Sequence, residues 1–367
     1  MLPEPDVDAL AASARLAERI RAQIAQDGGW ICFARYMELA LYEPALGYYA
    51  GGAAKLGAPG DFATAPEMGR LFAQTLARQV GALLAPGDAV LEFGAGSGAL
   101  AATLIEAVAP ERYLILETSA ELAARQRERL GTRAQWIERL PEGFRGVMIA
   151  NEVADAMPVH ALAWRGGGVM ERGVAEIDGR LAWAERPAAS GVLAAARRLE
   201  VPVPYESEIG LVSRAWMKLL AARLARGALL VVDYGFPERE YYHPQRAMGT
   251  LMCHYRHRAH GDPFLHPGLQ DITAHVDFTA LARAAREGGL EVLGYCNQAQ
   301  FLVNCGVTDI LGAEDAGDAA RYAPRAAEAQ KLLSPAEMGE LFKVLAVGRG
   351  VPHPLLGFAS GDRSHTL

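Results

Sequence analysis

Apolar residues recur at every fourth position between residues 8 and 26, at Leu16, Ile20 and Ile24. That spacing predicts a helix, which "DGG" at 27–29 ends. A second helical pattern runs from Ile31 to Tyr42 and stops before Pro44. A stretch rich in glycine and small residues follows. Thr64, ahead of Pro66 and Glu67, predicts a capped start for the next helix. From Asp88 the pattern changes to short apolar runs alternating with helix-like segments. "AVLEF" precedes a helix to about Val108, and "RYLILE" precedes "LAARQRERL". "AQWIE", "GVMIAN" and "ALLVVDYG" come next, with "LEVLGYC" and "LFKVLAVG" near the end. Strands apolar along their whole length suit a parallel sheet buried on both faces. The expected core is a doubly wound α/β fold.

Two stretches interrupt this alternation. Residues 159–187 place "GGG" and "DG" between alternating runs, which predicts a small antiparallel meander. Residues 236–275 read as irregular and hold six of the nine histidines. Both follow C-terminal ends of strands, where α/β proteins place ligands. The Ala-rich stretch 313–330 reads as a helical surface connection.

Composition narrows the classes. The 367 residues are 51% hydrophobic and 22% charged, as in an ordinary soluble globular chain. A net charge of -7 argues against a strongly basic nucleic-acid surface, and no nucleic-acid partner is expected. No apolar run reaches the roughly 18 residues of a membrane span. The start, with Glu4, Asp6 and Asp8, resembles neither a signal nor a transit peptide. Cys32, Cys253, Cys296 and Cys305 are scattered without a CxxC, so buried reduced thiols in a cytoplasmic protein are expected.

The chemistry concentrates in "VLEFGAGSGAL", residues 90–100. A tight strand-to-helix turn needs residues that tolerate positive φ, and Gly94, Gly96 and Gly98 supply them. With Ala99 as the third small position the loop fits a dinucleotide site, whose pyrophosphate rests on the helix N-terminus. It fits equally the loop that lets backbone approach S-adenosylmethionine (SAM). Glu92, two residues before the first glycine, would repel a pyrophosphate and suits an ammonium. Glu117 ends the second strand, where a carboxylate accepts from ribose hydroxyls in either case. The plain alternative is that both are solvated strand-end acids.

"IANEVADAMPVHAL" closes the fourth strand, and here the chain resembles MidA-type SAM-dependent methyltransferases, which include the mitochondrial complex I assembly methyltransferases and bacterial relatives. "MELALYEPALGYY", "GDFATAPEMGRLF", "VPVPYESEIG", "LLVVDYG" and "GTLMCHYRHRAHGDPFLHPGLQDITAHVDF" carry the resemblance along nearly the whole chain. Met252 and Cys253 depart from it, standing where a basic-aromatic stretch begins. The resemblance implies a class I methyltransferase fold with a seven-stranded sheet whose last strand is antiparallel. It implies SAM as cofactor and methyl transfer to an arginine nitrogen of a protein, with a respiratory-complex subunit as the kind of partner. The organisation expected is an N-terminal helical segment with a cofactor-side loop (1–87), a methyltransferase core (88–350) and a C-terminal tail (351–367). Within the core, insertions at about 159–227 and 236–275 form a substrate-side subdomain.

Asn151, Glu152 and Asp155 follow the fourth strand and face the cofactor edge. One or two carboxylates suit a planar, positive guanidinium. Alternatively Asp155 caps a helix and Asn151 closes a turn. His275, between Asp271 and Asp277, is expected to orient an acceptor or line the pocket; the alternative has Asp271 capping a helix that contains it. The expected cofactor-facing set is thus Thr64, Glu92, Gly94, Gly96, Gly98, Glu117 and Asn151, and the acceptor-side set Glu152, Asp155 and His275. His254, His257 and His260 fit no zinc motif, and no metal is expected. The insertions suit a peptide or protein acceptor, or equally a homodimer contact. Two rivals remain: a SAM-binding assembly protein without turnover, and a nicotinamide-dependent oxidoreductase, which Glu92 and the later blocks disfavour.

Overall fold

The computed structural model describes residues 2–51, 64–315 and 317–367. The start of the "GDFATAPEMGRLF" block therefore lies outside the described residues. Helix α1 (Val7–Gln26) is capped by Asp6, whose carboxylate accepts the Ala9 N–H at 2.8 Å. Its buried face carries Leu16, Ile20 and Ile24, the fourfold stripe of the sequence. The next helix starts two residues later than expected, because Ile31 and Cys32 form a short strand, β1 (Ile31–Cys32), before α2 (Phe33–Tyr42). Thr64 takes the N-cap position of α3 (Ala65–Met68), but its side chain makes no capping hydrogen bond. Helix α4 (Leu71–Leu83) follows.

Strand β2 (Ala89–Phe93) runs through the glycine loop into α5 (Ala99–Val108). Then come β3 (Arg112–Leu116), α6 (Ala120–Leu130), β4 (Gln135–Trp136) and β5 (Phe144–Asn151). The first insertion contains β6 (His160–Arg165), β7 (Gly168–Ile177), β8 (Arg180–Pro187) and β9 (Tyr205–Ile209). Helix Leu211–Arg223 returns the chain to β10 (Leu224–Phe236). The second insertion holds β11 (Met252–Tyr255), β12 (Arg258–His260) and β13 (Asp271–Thr273), and β14 (Val276–Asp277) follows. After helix Phe278–Glu287 come β15 (Glu291–Asn297), four further helices among the described residues, and β16 (Phe342–Arg349).

The main sheet has the order β15-β16-β10-β5-β2-β3-β4, with β14 pairing off that path with β10. It is parallel except at β16, which runs antiparallel to both β10 and β15. The sheet therefore has eight strands rather than seven; the extra one is the two-residue β14 beside the end of β10. Alternate residues of each strand enter opposite layers. Val90, Val147, Leu230 and Val344 pack with α4 and α5, while Leu91, Met148, Leu229 and Leu345 pack against Leu220 and Leu281. Both faces are dry, which is why these strands read as apolar throughout.

The antiparallel meander is present, in a five-stranded sheet of order β1-β7-β6-β9 with β8 on β7. Because β1 is its edge, the N-terminal segment and the first insertion share one core around Ile31, Phe33, Met37, Ala161 and Val174. Residues 236–275 are not irregular throughout: β12-β11-β13 form a small antiparallel sheet. The C-terminal stretch is more than a tail, since Leu355 and Phe358 are buried in the main core. Helix Ala319–Leu333 is likewise more than a surface connection, for Leu332 is buried and Glu328 accepts the Leu71 N–H at 2.7 Å. Among the described residues no helix is long and apolar enough to cross a membrane.

Candidate active site

The C-terminal ends of β2, β3 and β5 open into a cavity of about 380 Å³. The glycine loop forms one wall. Gly94, Gly96 and Gly98 have φ of 57°, 55° and 78°, the left-handed region where a side chain is strained. Gly94 and Gly96 line the cavity; Gly98, expected there too, does not, because it starts α5 and faces Gln126, Arg129 and Leu130 of α6. The Gly94 N–H donates to Leu116 O at 3.0 Å, which ties the loop to the end of β3.

Glu117 sits just past that strand end and lines the cavity. Its Oε1 accepts the Ser119 N–H at 2.9 Å and its Oε2 accepts Gln126 Nε2–H at 2.9 Å. Burial nevertheless raises its carboxyl above the usual range. Gln126 is fully buried, and its amide also donates to Gly96 O and accepts from Trp136 Nε1, each at 2.9 Å. One side chain from α6 thus holds the acid, the loop and β4 in register. Glu92 lines the cavity but is buried and accepts the Tyr113 hydroxyl at 2.5 Å. Burial pushes it up to about 7, against the Tyr113 bond and with help from the Glu117 charge. It is no solvated strand-end acid.

Thr64 and Asn151 also line the cavity. Asn151 Nδ2 donates to Glu152 Oε1 at 3.2 Å, while its Oδ1 is buried without a hydrogen-bond partner. Glu152 has a φ of 53°, rare for a non-glycine residue, and its N–H donates to Val232 O at 2.9 Å. The backbone turns off the sheet there, at the junction of β5 and β10. Burial, followed by the Asp155 charge, pushes Glu152 up to about 8. Asp155 is pushed up to about 6, mainly by burial, although the Tyr234 hydroxyl donates to its Oδ2. Its Oδ1 is buried and unpartnered. Asp233, on β10, accepts the N–H groups of Ala154 and Tyr234 at 2.9 Å and of Asp155 at 3.2 Å, which fixes the turn carrying both acids. No helix starts at Asp155; it closes no cap.

The opposite wall comes from α2 and the second insertion. Tyr42 and Tyr49 stack with ring centroids 5.5 Å apart. The Tyr42 hydroxyl donates to Ala156 O at 2.9 Å, and the Tyr49 hydroxyl lies 3.0 Å from both oxygens of Asp271. Asp271 caps no helix: it lies in β13 and faces the cavity. The cap of the following helix is Asp277, which accepts the Ala280 N–H at 2.9 Å.

His275 does not line the cavity. Its ring stacks on Phe236 at 5.2 Å and meets the Tyr234 ring edge-on at 5.1 Å. Burial lowers its pKa to about 4, with the Arg246 charge contributing, so it is neutral near pH 7. It stands behind Tyr234, which in turn holds Asp155. The sequence reading missed Gln126, Tyr42, Tyr49 and Tyr234; a polar residue inside the apolar stripe of α6 was the available signal for Gln126.

Six carboxylates line the cavity, from Glu67, Glu92, Glu117, Glu152, Asp155 and Asp271. No Lys, Arg or His joins them among the described residues. Burial raises Glu92, Glu117, Glu152 and Asp155 together, and a cation entering the cavity would favour their charged forms.

Residues 71–296 match the family described as "Putative S-adenosyl-L-methionine-dependent methyltransferase". A crystal structure from Burkholderia thailandensis, bound to S-adenosyl-homocysteine, is similar over 100% of both chains, with 50% identity and a TM-score of 0.96. The protein arginine methyltransferase NDUFAF7 homolog, mitochondrial, of Drosophila melanogaster is 29% identical over 97% of this chain and 91% of its own length. Protein arginine methyltransferase NDUFAF7, mitochondrial, of Mus musculus is 27% identical over 92% of this chain and 84% of its own.

Proposed function

The chain belongs to this family of S-adenosyl-L-methionine-dependent methyltransferases, and from that premise we propose that it methylates an arginine nitrogen of a protein. Family membership sets aside the nicotinamide reading of the glycine loop. The residues present fit the cofactor. The loop brings bare backbone to the cavity, and Glu117 offers a pre-oriented carboxylate. The orphaned Asn151 Oδ1 supplies a buried acceptor beside them.

When bound, SAM supplies a methyl group on a cationic sulfur that is already a good leaving centre. What remains for this chain is to hold an acceptor in line and exclude water. The observation that carries the arginine reading is the wall of acids with no cationic side chain among its described residues. A guanidinium is planar, positive and rich in N–H donors, and carboxylates bind it with charge-assisted hydrogen bonds. Glu152 and Asp155 supply them from one turn, and the unpartnered Asp155 Oδ1 is free to accept. A methylated guanidinium must shed one proton per turnover. In the resting protein Glu152, pushed up to about 8, keeps its proton near neutral pH; the incoming guanidinium favours the charged form and sends that proton to solvent, and the carboxylate so formed can take the one shed on transfer. The stacked Tyr42 and Tyr49 offer flat walls for a guanidinium plane.

A protein acceptor agrees with the names of the fly and mouse relatives and with the two insertions beside the cavity. The four free cysteines, three of them buried, fit a reducing compartment, for which we propose the cytoplasm; the two animal relatives are mitochondrial by name. The test is transfer of labelled methyl from SAM into a lysate, followed by mass spectrometry. Label on protein arginine supports the reading. Label confined to lysine, to carboxyl groups or to a small molecule overturns it.

A further inference from the structure

We propose that Cys32, His160 and Glu171 form a binding site for a divalent metal ion of the zinc type, outside the methyltransferase cleft. A sulfur, a ring nitrogen and a carboxylate oxygen from these residues all lie within 4.8 Å of one another. His160 Nδ1 is 2.6 Å from Glu171 Oε1. Among the described residues this is the group with metal-ligand character, and His254, His257 and His260 are not part of it.

The sheet register builds the site. Cys32 pairs with Gly173 across β1 and β7, and Ala161 pairs with Arg172 across β6 and β7. Cys32, Gly173 and His160 therefore fall in one row across three strands. Glu171 lies two residues from Gly173 along β7, on the same face. Gly173 contributes no side chain between the donors, and a Cβ there would meet ring carbons of Trp30 at 2.3 Å. The indole thus lies against Gly173.

Glu171 is 3% exposed, and among the described residues its ion pair is with His160 alone. A buried carboxylate is costly unless paired with positive charge. Cys32 occupies the N-cap position of α2, but burial and the Glu171 charge hold its thiol above the usual range, so the thiolate forms only with a bound cation. Thiolate, imidazole and carboxylate together are zinc ligands rather than ligands for hard cations such as magnesium or calcium. Three protein donors leave a fourth position for water. On binding, the thiol proton passes to solvent and a metal–sulfur bond replaces the S–H bond.

None of the three residues lines the cleft, but two of them lie on segments that reach it. Cys32 directly precedes α2, whose last residue, Tyr42, forms a cavity wall. His160 follows Pro158, another lining residue, by two positions. The ion would clamp these two cleft segments together and take no part in the methyl transfer itself.

Cobalt(II) titration of the full chain, stripped with a chelator, tests this. The site requires one cobalt per chain, a thiolate-to-cobalt charge-transfer band, and displacement by zinc. The band must vanish in Cys32→Ser, and affinity must fall at least about tenfold in His160→Gln. Alkylation of the wild-type protein, mapped by mass spectrometry, covers the case of a variant that fails to fold. Zinc must slow modification of Cys32, the one cysteine that is not fully buried. Absence of the band from the wild-type chain, its survival in folded Cys32→Ser, or unchanged alkylation of Cys32 with zinc would each overturn the site.

Discussion

The Gln126 side-chain amide stands 2.9 Å from Glu117 Oε2 and uses its second hydrogen on Gly96 O, also at 2.9 Å. The acid proposed to face the cofactor's ribose and the loop proposed to approach the cofactor are thus set by one buried residue. Glu117→Ala should weaken SAM binding by about 2 kcal/mol, as charge-assisted hydrogen bonds to hydroxyls are lost. Gln126→Leu keeps Glu117 but frees it to move and leaves Gly96 O without this donor. Its loss should be smaller, about 1 kcal/mol. Titration calorimetry with SAM checks both; a loss in Gln126→Leu larger than in Glu117→Ala contradicts the arrangement.

Gly96→Val should abolish SAM binding in a protein that remains folded. A β-branched residue at a φ of 55° is strained by about 1–2 kcal/mol, which a domain of this size survives. The loop would shift instead and close the approach to the cofactor. Circular dichroism and calorimetry on the same sample give the answer, and unchanged affinity in a folded variant counts against the loop assignment.

The loop-side cavity residues were legible because they are local. Strand, glycine loop, helix, strand and acid follow one another from Ala89 to Glu117, so order alone places them together. The acceptor side was legible only in part. Asp155 meets the Tyr234 hydroxyl across 79 positions, and Asp271 meets Tyr49 across 222. No periodicity reports such contacts. His275 drew attention for its flanking acids, but a two-residue strand, β14, begins right after it and turns its ring onto Phe236. Residues 236–275 read as irregular because strands of three and four residues are too short to show alternation.

Tyr234→Phe removes the hydroxyl that donates to Asp155, a bond that lowers the Asp155 pKa. Without it Asp155 should titrate higher. If the ionised form holds the acceptor, the acid limb of the pH–rate profile moves to higher pH. The profile of methyl transfer measures this, and an unmoved acid limb would separate Asp155 from acceptor binding.

The resting protein should lose stability through Glu152 as pH rises. Its folded carboxyl titrates at about 8 rather than 4.5, so between those values the folded chain keeps a proton that the unfolded chain has released. That contribution is full below the lower value and is lost on approach to the upper one. Glu152→Gln lacks the titration. Its melting temperature should therefore gain on that of the parent from about pH 5 to about pH 8. A gap that stays constant, or moves the other way, refutes the raised pKa.

The most direct measurement compares SAM affinity and methyl transfer in one preparation of Glu152→Gln. The substitution keeps shape and one acceptor oxygen but removes the charge proposed to hold the guanidinium and take its proton. SAM affinity should change little, while transfer to protein arginine should fall by a factor of about a hundred or more. Normal affinity with undiminished transfer would remove Glu152 from the mechanism, and loss of SAM binding would place it in the cofactor site instead.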